Sequence, residues 1–107
     1  MTDPHGSPAR GQVWRYNPVI QRDNRSDLRL IVSTDAINSS AVPTVFALHV
    51  LAEATESLLV TPVEPYGWAA AGTLEQVMRR RLVERVGTAD ATAMENVDIA
   101  LRALLEL

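Results

Sequence analysis

Hydrophobic and polar residues alternate along the first third of the chain in the pattern that is typical of β-strands. The segment Gln12–Tyr16 alternates in this way and places Trp14 and Tyr16 on the same face. A second alternating segment, Leu28–Thr34, has leucines on one face and Arg29 on the other. The pattern predicts two short strands joined by a polar loop over residues 19–27.

Two further strands are predicted between residues 44 and 63. The run Thr44–Ala52 is apolar except for His49, so it predicts a strand that is buried on both faces. Asp35–Val42, which precedes it, is predicted to be a connection with one helical turn. Prolines interrupt and follow Ser57–Val63, which predicts a fourth strand that ends there.

The glycines and aromatics of Tyr66–Gly72 predict a loop with exposed aromatic side chains. Thr73–Met78 then predicts a short strand or the start of a turn, and Leu82–Val86 fits either a strand or a helix. Asp90 is a favourable N-cap for a C-terminal helix. Apolar residues with three- and four-residue spacing predict one buried stripe on it: Met94, Val97, Leu101, Leu104 and Leu105.

Short strands followed by one helix predict a mainly β fold (β plus α), a small antiparallel β-barrel capped by a C-terminal amphipathic helix. The 107 residues suffice for one domain, which is expected at 11–107, after a poorly ordered tail at 1–10. No apolar run reaches the roughly 18–20 residues of a membrane span, and the N-terminus does not resemble a signal peptide. A cytoplasmic protein without a membrane partner is expected.

The composition limits the kinds of catalytic and metal-binding site that the chain can form. The chain has no cysteine, which excludes disulfides and thiolate nucleophiles, and it has only two histidines. We therefore expect no metal site and no cofactor. The net charge is −3, but five arginines and two aspartates between residues 10 and 29 give a local charge of +3. Such a patch favours phosphate contact, although a solvated loop of weak arginine–aspartate pairs explains it equally.

Four segments resemble, in the same order, the motifs of one family. They are GQVW at 11–14, LIVSTDA at 30–36, RLVERVG at 81–87 and VDIAL at 97–101. These resemble MazF/PemK-type toxins of bacterial type II toxin–antitoxin systems, within the CcdB/MazF superfamily. The resemblance implies a small β-barrel with a C-terminal helix, a homodimer, and a cognate antitoxin that lays an acidic segment across the active face. It also implies metal-independent endoribonuclease cleavage of single-stranded RNA.

The resemblance has two departures at the catalytic positions. The family's catalytic arginine stands in an Arg-Pro pair, whereas Leu30 follows Arg29 here. The family's catalytic threonine or serine falls where this chain has His49, Val50 and Leu51. Two hypotheses remain open: a ribonuclease in which histidine replaces the hydroxyl, and an inactive or CcdB-like member that acts by binding an antitoxin, gyrase or nucleic acid. A barrel module of a larger complex is a third.

The candidate catalytic residues are Arg29, Asp23 and His49. Arginine suits phosphate because its charge is permanent and its guanidinium can contact two oxygens. Asp23 is a candidate base or orienting group, and His49 is a candidate general acid or base, since imidazole titrates near neutral pH. The alternatives are an exposed loop carboxylate and a hydrogen-bonded core histidine.

The candidate RNA-binding residues are Arg22, Arg25, Tyr66, Trp68 and Arg79. The arginines would contact phosphates, and the two aromatics would stack on unpaired bases. A hydrophobic plug over one end of the barrel explains Tyr66 and Trp68 equally well.

Overall fold

The computed structural model describes residues 7–18, 27–56 and 59–107. Within them, two α-helices and a 3-10 turn accompany a six-stranded sheet. The strands are β1 (Gln12–Tyr16), β2 (Leu28–Ile31), β3 (Thr44–Leu51), β4 (Val60–Val63), β5 (Gly67–Met78) and β6 (Leu82–Thr88). The helices are α1 (Asp35–Asn38) and α2 (Ala91–Leu105), and the 3-10 turn Arg79–Arg81 joins β5 to β6.

The sheet has the order β4-β5-β3-β2-β1-β6, and its neighbouring strands pair antiparallel. The mainly β fold with a C-terminal helix is therefore confirmed. Hydrogen bonds do not close the sheet into a barrel: among the described residues, β4 and β6 remain its two edges.

Each face of the sheet carries a buried apolar cluster. One face packs with α2 through Val13, Leu30, Leu48, Val50, Val63, Ala69, Ala89, Ala93 and Val97. The other carries a second apolar cluster, Trp14, Ile31, Val45, Ala47, Val77 and Leu82. Alternate residues of β3 serve the two clusters, which confirms the prediction that this strand is buried on both sides.

Side-chain bonding ends β2 earlier than predicted. The strand stops at Ile31 rather than Thr34, and α1, the predicted single helical turn, begins at Asp35. The Ser33 hydroxyl donates to the side-chain oxygen of Asn38, whose amide donates back to the Ser33 carbonyl oxygen. These bonds, both buried, draw the chain out of the sheet and into the helical turn.

The predicted loop Tyr66–Gly72 is wrong, because β5 begins at Gly67 and continues for 12 residues. Small buried alanines fit closely between the neighbouring strands there: Ala69, Ala70 and Ala71. Gly67 has φ +138°, and a Cβ at this position would overlap the Leu51 carbonyl oxygen. The glycine thus indicates a tight turn into the strand rather than a loop.

The remaining elements follow the sequence pattern with smaller differences. Leu82–Val86 lies in strand β6, and β4 covers Val60–Val63 of the predicted fourth strand, whose residues 57 and 58 lie outside the described part. Asp90 caps α2 by accepting a hydrogen bond from the Ala93 amide at 2.8 Å. Of the predicted stripe, Leu104 and Leu105 are exposed, so the buried stripe ends before the last helical turn.

The N-terminal segment is placed from residue 7 onward. Pro8 is buried, and the Arg10 guanidinium pairs with Asp98 on α2. Residues 1–6 of the predicted tail lie outside the described part of the chain. Within the described part, no helix combines the length and the hydropathy that crossing a membrane requires.

Candidate functional site

A bulge in β5 shapes the polar end of the sheet. Ala47 on β3 pairs with Glu75, whereas His49, two residues on, pairs with Ala70. Between these two pairs, β3 advances by two residues and β5 by five. The Thr73 hydroxyl accepts the His49 amide hydrogen bond at 2.8 Å and donates to the Ala70 carbonyl oxygen at 2.7 Å. Bulges of this kind redirect neighbouring side chains.

Glu75 lies at the edge of the bulge, in regular pairing with Ala47, and contacts two partners through one oxygen. Its Oε1 accepts from Arg29 Nε at 3.1 Å and lies 2.8 Å from His49 Nε2. Arg29 and His49 are direct cross-strand partners on β2 and β3. A guanidinium, an imidazole and a carboxylate thus meet on one sheet face, and we call them the Arg29–His49–Glu75 cluster.

This cluster is buried at Arg29 and His49 and open to solvent at Glu75. Arg29 is 3% exposed and His49 is 6% exposed, whereas the Glu75 side chain is 39% exposed. A molecule approaching from solvent would therefore meet the carboxylate first. Burying an unpaired charged group costs roughly several kcal/mol. The retention of these side chains here makes the cluster a candidate site.

Arg29 has further contacts that fix its position. Its Nη1 donates to the Leu28 carbonyl oxygen at 3.0 Å, and its guanidinium carbon lies 4.9 Å from the centre of the Tyr16 ring. Burial lowers the pKa of Arg29 from its ordinary value, while the nearby Glu75 carboxylate raises it. The surroundings thus compensate in part for the removal of this charge from water.

The structure brings together two of the predicted catalytic residues, Arg29 and His49. The third, Asp23, lies outside the described residues, as do Arg22 and Arg25. Tyr66 packs against the α2-facing core, and its hydroxyl occupies the space beside Gly87. Trp68 is partly exposed in β5.

Arg79 lies at the opposite end of β3 from His49. Its guanidinium donates to the carbonyl oxygens of Val42 at 2.6 Å and Ile37 at 2.7 Å, and also to that of Asn38. These bonds hold the connection around α1. Met78, the residue before Arg79, pairs with Thr44. Thr44 is five residues from His49 along β3, which corresponds to about 16 Å.

Sequence reasoning missed Glu75 and Tyr16. Tyr16 had a signal, because the alternation of β1 already placed it on the same face as Trp14. Glu75 lay within a segment predicted to be a short strand or the start of a turn, and nothing in that pattern revealed its pairing with β3, which places it near His49.

The cluster combines a group that opposes negative charge with groups that can move protons. A fixed guanidinium can stabilise negative charge, and an imidazole hydrogen-bonded to a carboxylate can exchange a proton. The nearby Thr73 hydroxyl is bonded to main-chain groups of His49 and Ala70. In the described ranges, no three histidine, aspartate or glutamate side chains form a group that could hold a metal ion.

Solved structures share this fold. An endoribonuclease from Mycobacterial species is 23% identical, with a TM-score of 0.80 over 98% of this chain and 97% of that chain. An endoribonuclease in complex with its cognate antitoxin, also from Mycobacterial species, is 24% identical, with a TM-score of 0.81 over 94% and 97%. The MazE–MazF crystal structure from Deinococcus radiodurans gives 22%, with a TM-score of 0.75 over 94% and 98%. At these identities the matches show a common fold.

A search of curated protein sequences gave no match. The sequence model of the PemK-like, MazF-like toxins of type II toxin–antitoxin systems matches residues 9–105, which include every strand and both helices. The chain therefore belongs to this toxin family.

Proposed function

We propose that this chain is the toxin of a type II toxin–antitoxin module and cleaves single-stranded RNA without a metal ion. The observation that carries the proposal is the Arg29–His49–Glu75 cluster, in which two buried cationic or titratable groups meet a carboxylate that solvent can reach. Family membership and the fold shared with endoribonucleases support it.

In the proposed reaction, the ribose 2′-oxygen attacks the adjacent phosphorus and the bond from phosphorus to the 5′-oxygen breaks. Glu75, the most exposed member of the cluster, accepts the 2′-hydroxyl proton, and His49 stabilises it through the bond at Nε2. Arg29 opposes the negative charge that develops on the phosphate oxygens. A proton then passes from the Glu75–His49 pair to the leaving 5′-oxygen. The products are a 2′,3′-cyclic phosphate and a 5′-hydroxyl.

The polar loop before β2 is proposed to complete the site. Arg22 and Arg25 contact phosphates on either side of the cleaved bond, and Asp23 orients an arginine or assists proton transfer. The proposed partners are a second copy of the chain and a cognate antitoxin whose acidic segment competes with RNA. An antitoxin accompanies one of the mycobacterial structures and the Deinococcus MazF.

The test is cleavage of several long single-stranded RNAs in EDTA, using protein whose fold is verified by circular dichroism. We expect products with 2′,3′-cyclic phosphate ends, and a loss of about 100-fold or more in rate for His49→Ala and Glu75→Gln. Gln76→Ala is the matched control, because Gln76 is exposed on the same strand. Intact RNA after incubation with folded wild-type protein contradicts the proposal.

One observation favours a second candidate, a member of the family that acts by binding. The Thr73 hydroxyl beside the cluster is bonded to the main chain rather than to Arg29 or Glu75. In this alternative the chain arrests growth by binding gyrase or nucleic acid. Growth arrest with intact messenger RNA, unchanged in Arg29→Ala, would favour it over the ribonuclease.

A further inference from the structure

Trp68 lies on the same face of the sheet as the Arg29–His49–Glu75 cluster. In the ladder between β3 and β5, His49 pairs with Ala70 and Leu51 pairs with Trp68. Paired residues share a face, and residues two apart on a strand also share it. The Cα atoms of Trp68 and His49 therefore lie on neighbouring strands and are offset by two residues along them, which gives a distance of about 8 Å.

A pocket of about 300 Å³ lies against Trp68 at the hairpin between β4 and β5. It is lined by Pro62, Glu64, Pro65, Gly67 and Trp68. Pro62 is the cross-strand partner of Trp68, so the two rings lie side by side on this face. The volume is at the lower end of small-ligand sites, which suits one heterocycle rather than a larger ligand.

The chemistry of this pocket matches an unpaired nucleobase. An indole face is a stacking platform for any base. Glu64 adds a carboxylate, which only accepts hydrogen bonds when ionised. It is exposed, and the described residues include no ion-pair partner for it. Guanine presents two adjacent donors, N1–H and the 2-amino group, which one carboxylate can accept together.

We infer that the Pro62–Glu64–Trp68 pocket binds one base of the RNA next to the cleaved phosphate and selects guanine there. The inference rests on the proposed ribonuclease function and names a specificity site for it. Uracil offers a single donor between two carbonyl oxygens that would oppose the carboxylate. Adenine and cytosine offer an amino group beside a ring nitrogen that only accepts hydrogen bonds, so each supplies one of the two donors that the carboxylate can accept.

The first experiment determines the base preference at every position around the cut. A randomised single-stranded RNA is digested with wild-type protein, Glu64→Gln or the control Glu53→Gln, and the product ends are sequenced. We expect guanine to be enriched about tenfold at one position within two nucleotides of the cut in wild type and Glu53→Gln. Glu64→Gln should lose this enrichment while still cleaving RNA. Equal base profiles for wild type and Glu64→Gln overturn the inference.

The second experiment measures binding without cleavage. The chain has two tryptophans, and Trp14 is buried, so quenching of Trp68 fluorescence reports stacking. A 2′-fluoro oligonucleotide with guanine is expected to quench and to bind about tenfold more tightly than the same oligonucleotide with inosine, which lacks the 2-amino group. Trp68→Phe should bind more weakly, because phenylalanine offers a smaller stacking face, and without the quenching.

The two experiments separate the possible failures. If wild-type protein cleaves no RNA, the proposed function fails, and the oligonucleotide titration alone decides whether the pocket selects guanine. Equal affinity for guanine and inosine, or equal quenching in wild type and Trp68→Phe, overturns the inference even if RNA is cleaved.

Discussion

The Glu75 carboxylate is shared by Arg29 and His49, and this makes it the main countercharge of a buried cation. A guanidinium that is 3% exposed cannot regain water when its partner is removed. The stability of the fold and the organisation of the site therefore depend on the same side chain.

We predict that Glu75→Gln destabilises the folded chain by about 1–3 kcal/mol, a range reduced for the partial exposure of the carboxylate. The reason is that Arg29 stays buried with a neutral amide in place of the carboxylate. Urea denaturation measures the change in the free energy of unfolding.

Glu84→Gln is the matched control for this prediction. It breaks the pair between Arg15 and Glu84, both of which are about half exposed. Such a surface pair contributes about 0–1 kcal/mol. Equal destabilisation by the two substitutions would contradict the importance assigned to Glu75.

At the scale of elements, the bulge in β5 depends on the Thr73 hydroxyl. We predict that Thr73→Val, which keeps the shape but removes the acceptor, costs about 1–3 kcal/mol because the His49 amide loses its hydrogen bond. Amide hydrogen exchange at His49 should become faster, whereas Thr73→Ser should retain the protection. Unchanged exchange in Thr73→Val would show that another group holds the bulge.

The α1 turn contributes an acid-sensitive contact. The backbone N–H of Arg10 and the side-chain amide of Asn38 donate to Asp35 and lower the pKa of its carboxyl. Because the pKa of Asp35 is lower in the folded chain than in the unfolded chain, its carboxylate stabilises the fold at pH values above the unfolded-state pKa, which is near 4. This contribution is lost as the pH falls through the folded-state pKa.

We therefore predict that Asp35→Asn lowers stability at pH 7 and that this effect becomes smaller as the pH falls below the unfolded-state pKa. Thermal unfolding of wild type and variant between pH 2 and 7 measures the difference, which should shrink as the solution becomes more acidic. A difference that is constant with pH would contradict this assignment.

Periodicity predicted the elements that pack by a regular pattern. The bounds of β1, the burial of β3 on both faces and the Asp90 cap of α2 all followed from the spacing of apolar and capping residues. The first part of β5 did not, since its glycines and alanines are weak strand formers and their burial depends on the neighbouring strands. The site was half predictable for the same reason: Arg29 and His49 stand out within apolar strands, but Glu75 reaches them through the pairing of β5 with β3, which the spacing of residues did not indicate.

At the scale of the whole molecule, the two edges of the sheet approach each other through side chains. Tyr66 follows edge strand β4, and its hydroxyl occupies the space where a side chain on Gly87 of edge strand β6 would lie. Glycine at this position thus allows the two ends of the sheet to pack together without a hydrogen-bonded ladder.

We predict that Gly87→Ala destabilises the fold by about 1–3 kcal/mol, because the new methyl group overlaps the Tyr66 ring. Combining it with Tyr66→Ala should cost less than the sum of the two single changes, as expected for residues in contact. Thermal or urea unfolding of the four proteins provides the double-mutant cycle. Additive effects would contradict the contact.

The bulge between Ala70 and Glu75 also separates two registers of one ladder. His49 pairs with Ala70 on one side of it and Ala47 pairs with Glu75 on the other, so the residues between Ala70 and Glu75 are not fixed by cross-strand pairing. A change in their number can be absorbed within the bulge, whereas inserting or removing one residue between Glu75 and Met78 would turn Glu75 to the far side of the sheet. Relatives that use the same three side chains are therefore expected to differ in the length of the bulge and to keep the number of residues from the carboxylate to the last pair of this ladder.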